Sequence, residues 1–174
     1  MEKSSSKRAY AVCTAAAMVL FAVQMLYIHA NLEYAGSWGQ TAAISALFAL
    51  AAGIMLCGFV KLKKPTAGEL GLTCSIVCVT ALARVSMLDY VSSDYQSFLV
   101  GWLDVFRTGG FKTLGENVGD YNLIYQYVLL LISKAPIKDL YLVKLFTVLF
   151  DYGLALTMMQ AAGYFASEKA KVPV

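Results

Sequence analysis

Three charged side chains stand inside stretches that are otherwise apolar: Arg84, Lys144 and Asp151. A charge within a segment of hydrocarbon length is costly and usually faces protein or a polar cavity. Lys144 lies near one end of its segment and can snorkel its ammonium toward water. Asp151 is too short to snorkel, so it needs a partner or must be protonated. Arg84 can reach the nearer interface or meet a carboxylate, to which a guanidinium offers two donors. A structural ion pair between Arg84 and Asp151 is therefore expected. A second set of acids, Asp89, Asp94, Asp104, Glu116 and Asp120, shares one polar stretch. Composition alone makes each a solvated loop residue. Asp94 differs in its placing: it follows an apolar segment and directly precedes a run with helical amphipathic spacing. A carboxylate there could face a lipid-linked molecule whose headgroup lies at that depth. The one histidine, His29, and four cysteines, Cys13, Cys57, Cys74 and Cys78, contain no C-x-x-C pair. The cysteines fall in apolar runs, where they behave as small hydrophobes, and neither a metal nor a cofactor is expected.

The elements that must position these residues follow from composition. Of 174 residues, 59% are apolar and 14% charged, against about 25% charged in an average soluble domain. The charges gather at the termini and in short loops. Apolar runs cover residues 9–28, 41–60, 70–88, 121–133 and 140–165. A bilayer core of about 30 Å needs roughly 20 apolar residues per helix. The run 121–133 is short, and reads as a spanning helix, with a re-entrant helix as the alternative. The first run is too long for a cleaved leader and lacks a small-residue cleavage site. The net charge of +3 comes from short basic clusters with no interleaved aromatics, which argues against nucleic acid.

Residues 89–120 form the longest polar stretch. Within it Tyr95, Phe98, Leu99, Trp102, Leu103 and Phe106 recur at helical spacing, and Gly109 and Gly110 follow. This predicts an interfacial amphipathic helix with Phe98, Leu99, Trp102 and Phe106 toward the lipid. The expected fold class is an all-α integral membrane protein. It has about five transmembrane helices plus that interfacial helix in an outer loop, residues 89–120. Residues 1–65 would form an N-terminal hairpin and 66–174 the start of a membrane core.

Basic residues collect on the cytoplasmic side. Lys3, Lys7 and Arg8, then Lys61, Lys63 and Lys64, then Lys134 and Lys138 occupy alternate loops if the first four runs all cross. The N-terminus is then cytoplasmic and residues 89–120 face outward. Lys169 and Lys171 fall outside, as expected if a further span follows naturally. The third and fifth spans would both run outward. Arg84 then lies about 14 residues, roughly 21 Å, and Asp151 about 11 residues, roughly 17 Å, from their cytoplasmic ends.

Several short motifs occur in one order: Ser92-Ser93-Asp94-Tyr95-Gln96-Ser97-Phe98-Leu99, Trp102-Leu103, Gly109-Gly110-Phe111 and Gly119-Asp120-Tyr121-Asn122. Tyr141-Leu142-Val143-Lys144-Leu145 and Phe150-Asp151-Tyr152 follow. Over about residues 70–156 the chain resembles the N-terminal part of bacterial GT-C membrane glycosyltransferases related to the GPI-anchor mannosyltransferases. The resemblance implies transfer of a sugar from a polyprenyl-phosphate carrier to an acceptor on the outer face of the bacterial plasma membrane. It implies that Asp94 is the general base and that Asp120 supports the acceptor site. Leu123 and Ile124 stand where relatives usually carry a proline, and only about three helices of the family core are present. A second membrane polypeptide would then complete the fold. A small non-catalytic membrane protein, serving assembly or lipid-carrier translocation, is the reading of a different class.

Overall fold

The computed structural model describes residues 2–33, 37–116, 118–119 and 121–169, and every named element among them is helical. The elements are α1 (Glu2–Asn31), α2 (Trp38–Lys63), α3 (Ala67–Ser86), a π-helical turn (Tyr95–Leu99), α4 (Val100–Gly109), a 3-10 turn (Gly110–Thr113), α5 (Leu123–Lys134) and α6 (Asp139–Lys169). The helix starts are written locally. Ser37 and Gln40 form a reciprocal capping box on α2, and Thr66 and Glu69 form another on α3. Each box satisfies two backbone N–H groups that a helix start leaves orphaned. Lys64 closes α2 in the left-handed conformation, with its N–H donating to the Val60 carbonyl, so the chain turns back within three residues.

Four helices, α1, α2, α3 and α6, are long and apolar enough to cross a membrane. Two packed layers between them show their directions. One layer joins Leu20, Leu56, Val77 and Ala81 with Tyr152 and Leu156. The other joins Ile28, Ile44, Val85 and Leu88 with Tyr141 and Leu145. From the first layer to the second, residue numbers rise along α1 and α3 and fall along α2 and α6. So α1 and α3 run one way and α2 and α6 the other. Residues of the N-terminal hairpin enter both layers and pack directly on the later helices.

This corrects the expectation that the third and fifth apolar runs point the same way. α5 has 12 residues, about 18 Å of helix, too short for a hydrocarbon core of about 30 Å. It packs instead on α4 around a third core of Leu103, Phe106, Val118, Leu129, Leu130 and Ile132. The described residues between Met87 and Lys138 therefore form a cap at one end of the bundle, and α6 starts where α3 stops. Lys134 and Lys138 lie at the cap end. The end opposite carries Lys7, Arg8, Lys61, Lys63, Lys64 and the C-terminus of α6.

The amphipathic helix is also reshaped. A π turn occupies Tyr95–Leu99 before α4 begins. Phe98 is exposed, Leu99 and Trp102 lean on the third core, and Phe106 is fully buried in it. Phe106 is thus turned into protein, because α5 supplies a partner surface that helical spacing alone does not reveal.

These directions make a labelling prediction on a cysteine-free background. With the cap outward, an impermeant thiol reagent applied to intact cells should modify cysteines placed at Ser92, Lys112 and Pro136, all exposed, and spare one at Lys63. Protection at Pro136 with labelling at Ser92 would mean that α5 crosses after all.

Candidate functional site

The chemistry of the cap end starts from how Asp94 is held. Ser92 Oγ accepts the Tyr95 N–H at 3.2 Å, and the Ser92 carbonyl accepts the Gln96 N–H at 3.1 Å. A serine at this position satisfies an orphan donor of the helix start. Asp94 therefore sits in the first turn, where a carboxylate complements the helix dipole. Tyr95 packs against both the upper bundle layer and the cap core, so it wedges the start of this helix between them. Burial, and then the Asp139 carboxylate, push its phenol above the ordinary range. Asp94 itself is exposed and makes no hydrogen bond or ion pair among the described residues.

An aromatic ridge begins one turn further on. Phe98 lies 6.0 Å from Trp102 between ring centroids, Trp102 lies 5.3 Å from Tyr121 in an edge contact, and Tyr121 lies 4.6 Å from Tyr125. Gly119 lets this ridge close. Its φ is +68°, and a Cβ there would come within 2.6 Å of the Trp102 ring. Asn122 then caps α5, its side-chain oxygen accepting the Tyr125 N–H at 3.1 Å. Two residues of the Gly119-Asp120-Tyr121-Asn122 stretch thus have structural roles. Asp120 lies outside the described residues.

The other described aspartates of this end are engaged. Asp89 accepts the Tyr141 hydroxyl on one oxygen and the Glu33 N–H, at 2.8 Å, on the other. Arg107 donates to Asp104 at 2.5 Å and to Asp139. The bond to Asp139 holds the Arg107 guanidinium above its ordinary pKa. The Lys134 ammonium donates to the Arg107 carbonyl at 2.7 Å. These contacts tie the C-terminal ends of α4 and α5 to the start of α6.

Arg84 and Asp151 meet at 2.5 Å between Nη2 and Oδ2, with side chains 37% and 44% exposed. The opposed directions of α3 and α6 bring them together, so depth counting from a shared cytoplasmic side reached the contact by a wrong route. Lys144 turns toward the segment that follows α3. Its ammonium donates to the carbonyls of Met87, Leu88 (3.0 Å) and Tyr90 (2.6 Å). A lysine there holds the turn that follows α3 and places a positive charge at the helix C-terminus, the sign that the dipole favours.

Asp89, Tyr141 and Arg107 were not singled out by the charge pattern as working groups. A weak signal existed for Tyr141, which shares the Tyr141–Leu145 motif with Lys144; both reach back to the segment that follows α3.

Among the described residues, three grooves open on the surface. One of about 500 Å³ lies between α3 and α6, lined by Arg84, Lys144, Thr80 and Thr147 over Phe48 and Val148. A second, about 210 Å³, lies between α5 and α6 beside Phe146 and Phe150. A third, about 540 Å³, is apolar and lies between α1 and α2 over Ala17, Ala46 and Gly53. Asp94 lines none of the three.

No family model, curated protein or solved structure matches this chain.

Two substitutions test the contacts that hold this end together. Tyr141→Phe keeps the packing and removes one hydrogen bond to a carboxylate. It should cost about 1.5–3 kcal/mol, read as a lower denaturation midpoint of the purified protein in detergent; no change would show that the Asp89 contact contributes nothing. Arg84→Asp and Asp151→Arg should each lower accumulation in the membrane, and the double exchange should restore part of it. Absence of any rescue would count against the pairing as a determinant of assembly.

Proposed function

We propose that this chain is the N-terminal portion of a polyprenyl-phosphate-dependent GT-C-type membrane glycosyltransferase of the bacterial plasma membrane. Its cap faces outward, and Asp94 serves as general base on the acceptor hydroxyl. The observation that carries the reading is the state of Asp94. Asp89, Asp104 and Asp139 are all engaged by neighbouring groups, whereas Asp94 is left exposed and unpaired on a rigidly anchored first turn. A structural role needs partners; a base needs an open lone pair and a fixed position.

The exposed aromatics beside it fit the depth of lipid headgroups, where aromatic rings concentrate. A polyprenyl-phosphate-sugar would present its reacting carbon at that level. The basic residues at the opposite end, Lys7, Arg8, Lys61, Lys63 and Lys64, favour placing that end in the cytoplasm. Asp120 would support the acceptor site, as the resemblance implies. The donor groove would be completed by further membrane helices, on a second polypeptide or on a continuation of this one.

A second reading has one observation in its favour: Asp94 borders none of the grooves described above. In that case the chain is a non-catalytic partner in assembly or in translocating a lipid carrier.

One experiment separates the two. The chain is deleted from its native cells and restored as wild type, as Asp94→Asn or as Glu116→Gln. Transfer of labelled sugar from polyprenyl-phosphate-sugar is then measured in the membranes. Asn keeps the shape of the side chain and cannot take a proton. Asp94→Asn should reduce transfer by about 10²–10⁴-fold at unchanged membrane levels, and Glu116→Gln, also exposed on the cap, should behave as wild type. Full transfer by Asp94→Asn, with loss only on deletion, would remove Asp94 from catalysis and favour the partner role.

A further inference from the structure

α5 is apolar on the face it exposes as well as on the face it buries. Between the Asn122 cap and Lys134 its exposed side chains are Leu123, Ile124, Tyr127 and Leu131, with Ile124 77% and Leu131 67% exposed. The amide of Gln126 and the hydroxyl of Ser133 are buried, and they donate to carbonyls of their own chain, Tyr121 at 3.4 Å and Leu130 at 2.8 Å. A helix on a water-facing surface turns its apolar stripe to the core and its polar side chains outward. Across the same cap core, α4 keeps that order: Asp104, Arg107 and Thr108 are exposed, and Leu103 and Phe106 are buried. The cap therefore has a polar side on α4 and an apolar side on α5. Lys134, the charged residue of α5, gives its ammonium to the Arg107 carbonyl of α4. The apolar side also continues the surface of a membrane helix. The turn between Lys134 and Asp139 folds α5 back along α6. The groove between them runs from Ile132 to Tyr125 on α5 and from Val143 to Phe150 on α6, about 10 Å of each helix. Those α6 residues belong to an apolar segment long enough to span, Asp139–Ala166, and Phe150 is exposed on it.

We propose that the outer face of α5 lies in the acyl chains of the bilayer leaflet at the cap end, so that α5 enters that leaflet beside α6 without crossing the membrane. A helix that is apolar all round has protein or hydrocarbon on every side, and three features favour hydrocarbon here. The face is continuous with the exposed surface of α6. Its side chains are large, whereas interfaces between membrane helices are rich in small residues. Tyr127 is an amphipathic ring of the kind that collects at the boundary of membrane and water. The cap core then separates two solvents, with lipid outside α5 and water outside α4. The assignment is independent of Asp94 and of any sugar transfer.

The test uses the full chain, with its native cysteines replaced, reconstituted in phosphatidylcholine vesicles. A nitrobenzoxadiazole fluorophore is attached to one introduced cysteine at a time. The positions are Ile124→Cys and Leu131→Cys on α5, Leu154→Cys on the exposed face of α6, and Thr108→Cys on the polar side of the cap. Tyr127→Cys replaces either α5 variant that fails to assemble. Phosphatidylcholine with brominated acyl chains should quench the α5 labels to the same extent as the Leu154 label. Iodide in the buffer should quench the Thr108 label and spare those on α5. Acyl-chain quenching on α5 no stronger than at Thr108 would overturn the proposal. Accompanied by iodide quenching, that result would put this face in water; without it, a second copy or another protein would cover the face. Strong acyl-chain quenching, together with protection of a cysteine at Pro136 from the impermeant reagent in intact cells, would mean that α5 crosses, and would also overturn the proposal.

Discussion

The frayed end of α3 is the junction on which the rest of the molecule depends. After Ser86 the chain leaves the helix in a turn, with the Met87 carbonyl accepting the Tyr90 N–H at 3.1 Å. Lys144 of α6 donates to three carbonyls of that turn, at Met87, Leu88 and Tyr90. One turn earlier on α6, Tyr141 donates to Asp89, which also accepts from the backbone of Glu33 beyond α1. Three helix ends are fixed by two side chains of one α6 face. With the start of α6 held there, the whole intervening chain must begin and end on the same side, and the cap follows as a consequence.

That constraint explains why the cap has a core of its own. A bundle in lipid gains little from apolar association, because lipid tails are as apolar as leucine. A cap at the aqueous end meets water, and burying Leu103, Phe106, Leu129 and Leu130 there stabilises by about 1.5–3 kcal/mol for each side chain. α4 and α5 therefore close on each other. Arg107, through Asp139 and through its own carbonyl to Lys134, locks that pair onto the start of α6. The aromatics left outside, Phe98, Phe111 and Tyr121, lie on the surface that the closed core does not use.

Sequence patterning made the four long helices legible, since apolar length is a local property. The amphipathic periodicity from Tyr95 onward was equally local. The direction of α6 was not local. It depends on whether residues 121–133 cross, and the ring-rich Tyr121, Tyr125 and Tyr127 made a short run look extendable at the interface. The decisive information lay in long-range pairs, Tyr141 with Asp89 and Lys144 with the end of α3, which no spacing rule encodes. The same loss of long-range information turned Phe106 toward lipid on paper and into the cap core in space. That Asp151 needs a partner was legible from cost, whichever way its helix points, whereas Arg84 was matched to it by depths counted along two helices taken to share a direction, which the structure opposes.

The positions of the charges separate anchoring from chemistry. Asp89, Asp104 and Asp139 are spent on joining elements, and each has a side-chain or backbone donor against it. Asp94 is positioned without being consumed: Ser92 takes the backbone of its turn, and Tyr95 takes the packing. A carboxylate arranged in this way has no structural debt, so replacing it by asparagine removes charge and basicity while leaving every described contact of the cap in place. Arg84 is the counterpart among the cations. It is held by one bond to Asp151 and keeps its remaining donors open, while Lys144, saturated by carbonyls, contributes structure and field. The two groups with unused capacity, Asp94 and Arg84, therefore stand out from neighbours whose hydrogen bonds are already committed.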